Sequence, residues 1–202
     1  MFEAFASGID ALVSLGFPPA IEFDVRRAAD GRLVVIHDAT LRRVFAMRGR
    51  VSAHTAAELA ELGVPRLERV LERFRTAELH LEIKERGIAA AVGSAIRPER
   101  DRVVVSSFLW NELPPLRRHV RIALTSALPT RRLVRAAIEA GAWAIHPDYR
   151  RTGARLVAAA HDASLRVNAW TVNTPRAYAR MTRLGVDAVF SDNPFFLAAP
   201  RD

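Results

Sequence analysis

Apolar and polar residues follow two different spacings along the chain. Apolar residues recur three and four positions apart between Phe5 and Val13, and Gly16 ends that pattern. This spacing predicts an amphipathic helix at the start of the chain. Residues 20–25 then alternate apolar and charged side chains, which is typical of a strand.

The rest of the chain repeats an order of strand and then helix. The dipeptide Asp30-Gly31 predicts a tight turn into a short second strand at residues 33–36. Further strands are predicted from apolar runs at residues 79–83, 103–108, 120–124, 143–146, 167–172 and 188–190. Helices are predicted from the capping-box spacing of Thr55-Ala-Ala-Glu58 and from the patterns at residues 67–74, 131–140, 153–163 and 175–184.

Strands that alternate with helices favour an α/β fold with a parallel sheet. Seven such strands, evenly spaced and not counting the short hairpin strand at residues 33–36, favour an α/β barrel that is short of one strand over a small sandwich. An open doubly wound sheet is the alternative, but no G-x-G-x-x-G turn follows any of the strands, so its usual nucleotide site is missing. With 202 residues, of which 50% are hydrophobic, we expect a single barrel domain over residues 1–202.

The basic residues of the chain are almost all arginines, which makes the position of the single lysine informative. The chain has 30 basic and 22 acidic residues, a formal net charge of +8, and its only lysine is Lys84. The arginines are spread along the chain without interleaved aromatic residues, so we expect no nucleic-acid surface. Because arginine is used everywhere else, Lys84 indicates a position that needs a compact ammonium group.

The sequence lacks the features of cysteine-based sites, transmembrane helices and signal peptides. The chain has no cysteine, which excludes disulfides, thiolate metal sites and a cysteine nucleophile. Its apolar runs are too short for a transmembrane helix, and residues 1–16 lack the basic start and cleavage site of a signal peptide.

Two strands carry charged residues two positions apart. Glu22 and Asp24 lie on one face of the first strand, where they could bind one hard cation together. Glu82 and Lys84 repeat this spacing at the end of another strand, which adds a third carboxylate and a cation suited to a phosphoryl oxygen. The alternatives are a solvent-facing strand for the first pair and a simple ion pair for the second.

Two further residues stand at strand ends, where barrel enzymes place their active sites. His37 follows the apolar run Leu-Val-Val-Ile and is a candidate general acid or base, although a structural histidine is the alternative. Trp170 lies in Ala-Trp-Thr-Val-Asn at residues 169–173 and could form an apolar wall for a small polyol, or simply belong to the core.

Six segments in register resemble the glycerophosphodiester phosphodiesterase family across nearly the whole chain. They are Ile-Glu-Phe-Asp-Val at 21–25, Asp-Gly-Arg-Leu-Val-Val-Ile-His-Asp at 30–38, Leu-Glu-Ile-Lys at 81–84, Val-Ser-Ser-Phe at 105–108, Trp-Thr-Val-Asn at 170–173 and Gly-Val-Asp-Ala-Val-Phe-Ser-Asp-Asn-Pro at 185–194. The resemblance implies a (β/α)8 barrel that hydrolyses a glycerophosphodiester to glycerol 3-phosphate and an alcohol.

The resemblance also implies roles for individual residues. Glu22, Asp24 and Glu82 would bind one divalent cation, either Mg2+ or Ca2+, and Lys84 would bind the substrate phosphate. His37 would be one of two acid/base histidines. The partner would be a small-molecule glycerophosphodiester, with Trp170 beside its headgroup.

The chain departs from the family pattern at its start. Family members usually begin with a strand ending in His-Arg-Gly, followed by Pro-Glu-Asn-Thr, whereas Met1 here stands at the position of that threonine. We therefore expect the first strand and one acid/base histidine to be missing. The alternative to an active phosphodiesterase is a weakly active relative that binds a cation and phosphate for sensing or scaffolding.

Three further expectations follow from that departure. A substitute histidine would be His146 at a strand end or, less well placed, His80, which lies deeper on the face of Glu82; His54, His119 and His161 fall in loops or helices. A homo-oligomer could cover the open barrel edge. We expect a cytoplasmic protein, unless a signal peptide preceded the present start.

Overall fold

The strand β1 (Ala20–Arg27) shows how the sequence pattern produces the sheet. Its apolar residues Ile21, Phe23 and Val25 are all buried, whereas the alternate charged residues Glu22 and Asp24 are half-buried on the opposite face. Because side chains alternate across a strand, one face of β1 packs in the core and the other carries charge. The computed structural model describes residues 2–14 and 16–195; Met1, Leu15 and residues 196–202, which belong to the predicted domain, lie outside them.

Eight strands form one sheet in the order β2-β1-β3-β4-β5-β6-β7-β8. β2 is antiparallel to β1, and each of the other neighbouring pairs is parallel. The strands after β1 are β2 (Leu33–Val35), β3 (Glu78–Ile83), β4 (Val103–Ser107), β5 (Arg121–Ser126), β6 (Ala144–Pro147), β7 (Arg166–Ala169) and β8 (Ala188–Val189). The predicted α/β class with a parallel sheet is thereby confirmed.

Helices connect most of the parallel strands. They are α1 (Phe2–Ser14), α2 (Arg42–Phe45), α3 (Ala56–Glu61), α4 (Leu67–Arg73), α5 (Ala89–Ala95), α6 (Arg131–Ala140), α7 (Ala154–Asp162) and α8 (Pro175–Leu184). The Thr55 hydroxyl and the Glu58 carboxylate form the predicted capping box of α3. Gly185, with φ of 76°, ends α8 in the left-handed conformation that favours glycine. The connection from β4 to β5 contains short 3-10 turns and not an α-helix.

The main apolar core lies between the sheet and the surrounding helices. It includes Ile21 and Phe23 of β1 and Leu79 and Leu81 of β3, all buried. The ring of Phe5, on α1, contacts the Phe23 ring with 6.4 Å between centroids. This core fixes the outer face of the sheet, so the polar residues of β1 and β3 must face the inside.

The sheet curls so that its last strand approaches its third. The ring of Phe190, directly after β8, lies 5.1 Å from the ring of His80 on β3 and 4.9 Å from that of His146 on β6. No backbone pairing joins β1 to β8 within residues 2–14 and 16–195. The described part of the molecule is thus a barrel-like sheet with a seam between these two strands.

The interior of the curled sheet is partly polar. His80 and His146 are buried there with 5.7 Å between their ring centroids, and Asn168 contacts the His146 Nε2 atom at 3.3 Å. The His80 Nδ1, Thr125 Oγ1 and Asn168 Oδ1 atoms are buried, and none of the residues that the structure describes forms a hydrogen bond with them. Such atoms cost stability unless water satisfies them.

Helices α1–α8 are each between 4 and 13 residues long. Among the residues that the structure describes, none of them has both the length and the apolar character needed to span a membrane.

Glu78 and His80 of β3 form a polar contact with Arg121 of β5 at the end of the sheet where these two strands begin. His80 Nε2 donates to Glu78 Oε1 at 2.9 Å, and Arg121 Nη2 donates to Glu78 Oε2 at 3.0 Å. The bond from His80 and the nearby charges lower the pKa of Glu78 to about 2, against an ordinary value of 4.5. A lowered pKa means that this stabilisation is present above pH 4.5 and is lost as the pH falls towards 2.

We predict that Glu78→Gln lowers the free energy of unfolding at neutral pH by about 1 kcal/mol or less, because the side chain is partly exposed to solvent. The difference from the wild type should shrink as the pH falls below 4.5. Urea unfolding between pH 7 and pH 3 measures it. Glu72→Gln, in an exposed pair with Arg69, is the matched control. A difference for Glu78→Gln that is independent of pH would contradict this account.

Candidate active site

Two carboxylates enter the site from β1. Glu22 and Asp24 are two residues apart, so both point to the face opposite the buried residues Ile21, Phe23 and Val25. A solvent-facing strand was the alternative, but both side chains are half-buried on the inner face. β1 therefore delivers two partly dehydrated carboxylates to one place.

The third carboxylate comes from the neighbouring strand. β1 and β3 are parallel, and Asp24 is the register partner of Glu82. Carboxylate oxygens of Glu22, Asp24 and Glu82 lie within 4.8 Å of one another. The sequence prediction that these three residues come together is consistent with this geometry.

Lys84 lies among the three carboxylates. Its Nζ atom is 2.7 Å from Glu82 Oε1 and 3.2 Å from Asp24 Oδ1. Burial alone would lower the pKa of Lys84, but the charges of Glu82 and Asp24 outweigh it and raise the pKa. Lys84 is therefore protonated, and the cluster of three carboxylates and one ammonium has a net charge of −2 when every carboxyl group is ionised.

The electrostatics of the cluster favour an additional positive charge. Burial, and then the charges of Asp24 and Glu82, raise the pKa of Glu22 well above its ordinary value. Burial likewise raises the pKa of Glu82, although Lys84 opposes it. Like charges held together in a site of low polarity repel one another, so a cation among them would be bound favourably.

The cluster also fits a hard divalent cation in its dimensions and donor atoms. Mg2+ and Ca2+ take oxygen ligands at about 2.0–2.6 Å, which places two ligands of one ion no more than about 5 Å apart. The three carboxylates meet this limit. Among the residues of the described ranges, they form the only group of three or more acidic or histidine ligands with this geometry.

His37 lies directly beyond β2 at the same rim. Its side chain is 60% exposed, and its Nδ1 atom donates to Asp38 Oδ1 at 2.6 Å. The imidazole is near enough to Glu82 to lower the pKa of that carboxyl group, as a lesser contribution after burial and Lys84. His37 is thus an accessible imidazole beside the acidic cluster.

Arg26 is a residue of the site that the sequence analysis missed. Its Nε atom donates to the His37 carbonyl at 2.8 Å, and its Nη1 atom donates to the Lys84 carbonyl at 3.3 Å. The side chain is only 13% exposed. One guanidinium thereby ties together the strand ends that carry His37 and Lys84. The sequence did indicate this position, because Arg26 continues the two-residue alternation that begins with Glu22 and Asp24.

Two aromatic residues border the cluster. Trp170 is half-buried, donates from Nε1 to the His146 carbonyl at 2.8 Å, and meets the Phe108 ring edge to face at 5.5 Å. Phe108 is 42% exposed, and its ring centroid lies 5.6 Å from Lys84 Nζ. The sequence analysis named Trp170 but not Phe108, which ends the segment Val-Ser-Ser-Phe.

The other histidines have different environments from that of His37, and His80 is the register partner of Glu22. His80 and His146 are buried beside Phe190, and burial, then His80, lower the pKa of His146 well below its ordinary value. His146 is therefore neutral and enclosed, which does not suit the role of a substitute acid/base group at the rim. His54 follows a short 3-10 turn, and His161, on α7, contacts Asp187 at 3.0 Å.

Comparison with known proteins points in the same direction as the geometry. The sequence pattern of the glycerophosphoryl diester phosphodiesterase family matches residues 13–195. A curated glycerophosphodiester phosphodiesterase of Bacillus altitudinis is 31% identical over a match that covers 86% of this chain and 82% of that protein.

Two solved structures are similar to the whole fold. A glycerophosphodiester phosphodiesterase of Thermotoga maritima has a TM-score of 0.85 at 25% identity, covering 98% of this chain and 89% of its own. A putative glycerophosphoryl diester phosphodiesterase of Silicibacter pomeroyi has a TM-score of 0.79 at 27% identity, covering 93% and 84%. The predicted barrel class is confirmed by these likenesses.

We predict that Mg2+ or Ca2+ stabilises the folded protein through the three carboxylates. At a free cation concentration of about one hundred times Kd, binding to the folded state alone adds about 2.7 kcal/mol to the free energy of unfolding. The shift in thermal midpoint on adding the cation should be largely lost in Glu82→Gln. Glu68→Gln, on the exposed side of α4, is the matched control and should keep the shift. An equal shift in Glu82→Gln and the wild type would refute the site.

Proposed function

Because the chain belongs to the glycerophosphoryl diester phosphodiesterase family, we propose that it hydrolyses glycerophosphodiesters to glycerol 3-phosphate and an alcohol with one bound divalent cation. The observation that carries this proposal is the meeting of three carboxylates within 4.8 Å beside a protonated lysine. Few structural roles would require so much like charge in one half-buried place, whereas binding of a cation and a phosphodiester would.

Glu22, Asp24 and Glu82 are the proposed ligands of Mg2+ or Ca2+, which both prefer oxygen donors. When bound, such a cation neutralises charge that develops on the phosphoryl oxygens. The raised pKa values of Glu22 and Glu82 are consistent with a site whose carboxylates are fully ionised only with a cation present.

Lys84 is the proposed phosphate-binding residue. Its ammonium group is held between Asp24 and Glu82, so a phosphoryl oxygen that contacts it also lies next to the carboxylates. A lysine ammonium is a compact point charge that can contact Asp24, Glu82 and a phosphoryl oxygen together, unlike the planar fork of an arginine. The same contact would orient the phosphodiester for attack.

His37 is the proposed acid/base group. Hydrolysis forms a bond between a water oxygen and phosphorus and breaks the bond between phosphorus and the alcohol oxygen. One proton leaves the water and one must reach the departing alcohol oxygen. The Nε2 atom of an exposed imidazole at the rim can carry out one of these transfers.

The wall formed by Trp170 and Phe108 is the proposed contact for the organic part of the substrate. The Phe108 ring lies 5.6 Å from Lys84 Nζ, and Trp170 packs against Phe108, so a phosphate held at Lys84 would place a glycerol or alcohol group against this wall. Apolar ring faces suit the carbon skeleton of a small polyol.

A cation- and phosphate-binding protein with little turnover is the second candidate function. It is favoured by one observation: His37 is an exposed imidazole beside the acidic cluster, whereas His80, the register partner of Glu22, is buried and bonded to Glu78. With one acid/base group in place of two, the rate could fall by about 10²–10⁴ while cation and phosphate binding remained.

We predict that the purified chain releases glycerol 3-phosphate from glycerophosphocholine in the presence of Mg2+ or Ca2+ and stops on chelation. Glu82→Gln and His37→Ala should each lower kcat by about 10²–10⁴. His119→Ala, an exposed histidine distant in sequence from the site, is the control and should leave the rate unchanged. Cation binding with no release by the wild type would favour the second function, and equal rates in all variants would reject the site.

For Lys84, we predict that Lys84→Gln raises KM and weakens inhibition by glycerol 3-phosphate by about tenfold or more, because a charge-assisted contact with phosphate is lost. Lys84→Arg keeps the charge but not the compact shape, so we expect it to restore only part of the affinity. Product inhibition titrations with each variant measure the effect. Unchanged inhibition in Lys84→Gln would show that the phosphate binds elsewhere.

A further inference from the structure

We infer that Asp38 and Arg43 are positioning residues for His37: Asp38 fixes the tautomer and orientation of the imidazole, and Arg43 fixes Asp38. The inference deepens the proposed function and rests on it, since it assumes that His37 exchanges a proton with the substrate or water. It is carried by a chain of short contacts at the rim that the sequence motif alone does not reveal.

The first contact joins the imidazole to the carboxylate. His37 Nδ1 donates to Asp38 Oδ1 at 2.6 Å. The His37 side chain is 60% exposed, whereas that of Asp38 is only 16% exposed. An accessible imidazole is thus anchored to an enclosed carboxylate, which limits the rotamers that the ring could otherwise adopt in solvent.

The second contact holds the carboxylate itself. Arg43 Nε donates to Asp38 Oδ2 at 2.5 Å, and Arg43 Nη2 donates to Asp38 Oδ1 at 2.9 Å. This is a two-pronged contact of a planar guanidinium with a carboxylate, and it fixes the direction of both oxygens. The bonds from Arg43, and then that from His37, hold the pKa of Asp38 well below its usual range.

An ionised carboxylate can only accept hydrogen bonds. Because Asp38 accepts from Nδ1, the neutral His37 must carry its proton on Nδ1 and leave a lone pair on Nε2. Among the residues that the structure describes, none makes a hydrogen bond with His37 Nε2. The pair therefore presents a basic Nε2 atom at the rim, as proton transfer from water would require.

The backbone around His37 is also held, which makes the geometry specific. Arg26 Nε donates to the His37 carbonyl at 2.8 Å. The Ile36 amide donates to the Asp24 carbonyl at 2.9 Å. His37 is therefore fixed to β1 through its main chain and to α2 through Asp38 and Arg43.

α2 offers a matched control for Arg43. Arg42 precedes it in the same short helix, Arg42–Phe45. In the described part of the chain, no ion pair joins Arg42 to an acidic residue. If Arg43 acted only by adding positive charge near the rim, neutralising Arg42 or Arg43 would have similar effects. If Arg43 acts through Asp38, only its own substitution affects His37.

The direct test is the tautomer of His37, which a merely structural ion pair would not determine. The full chain is labelled with 15N-histidine, and long-range 1H–15N spectra are recorded at a pH where the imidazole is neutral. We expect the wild type and Arg42→Gln to carry the proton on Nδ1. We expect Asp38→Asn to shift His37 largely to the Nε2-protonated form, because an amide accepts the Nδ1 proton less strongly than an ionised carboxylate and its NH2 group can donate to Nδ1.

Kinetics provide the second measurement. We expect Asp38→Asn to lower kcat by about 10²–10³ with little change in KM, since substrate binding does not use the imidazole tautomer. Arg43→Gln should lower kcat by about tenfold, and Arg42→Gln should match the wild type. Arg43→Lys should recover less than half of the loss, because an ammonium cannot form the two-pronged contact.

Two outcomes would overturn the inference, and the first is read from spectra and not from activity. One is an unchanged Nδ1-protonated tautomer in Asp38→Asn; the other is an equal fall in kcat for Arg42→Gln and Arg43→Gln. If Asp38→Asn does not fold, the comparison of Arg43→Gln with Arg42→Gln still decides. If His37→Ala keeps full activity, the proposed function of His37 fails, whereas the spectra still report whether Asp38 sets its tautomer.

Discussion

The meeting of Glu22, Asp24 and Glu82 around Lys84 is the interaction on which the rest of the site depends. Three half-buried or buried carboxylates repel one another, and one ammonium group offsets only part of that charge. The parallel register of β1 and β3 makes the arrangement unavoidable, since Asp24 lies opposite Glu82. The remaining negative charge favours the binding of a further cation or a proton. This preference connects the fold with the proposed chemistry.

Apolar packing on the outer face of the sheet offsets the electrostatic repulsion among the carboxylates. Ile21, Phe23 and Leu81 are buried against helices on the outer face, so the alternating carboxylates have no alternative but to face inward. Arg26 then joins the ends of two strands through the carbonyls of His37 and Lys84. The carboxylates, Lys84 and His37 are therefore positioned by main-chain register and one enclosed guanidinium.

The sequence predicted the strands and the acidic cluster well because both depend on a local period of two. The alternation in residues 20–25 indicated which face holds Glu22 and Asp24, and the helix at Arg131–Ala140 was confirmed from its own spacing. What the sequence could not supply were contacts between distant segments. The approach of Phe108 to Lys84 and the burial of His146 beside Phe190 depend on how the sheet curls, which no local pattern specifies.

The most direct test of this account is a crystal structure with Mn2+, which prefers the same oxygen ligands as Mg2+. Data collected at the manganese absorption edge would locate the ion without reference to activity. The account predicts an anomalous peak among Glu22, Asp24 and Glu82, at about 2.0–2.6 Å from an oxygen of each carboxylate. A well-ordered ion bound elsewhere, with Lys84 still occupying the space between Asp24 and Glu82, would contradict it.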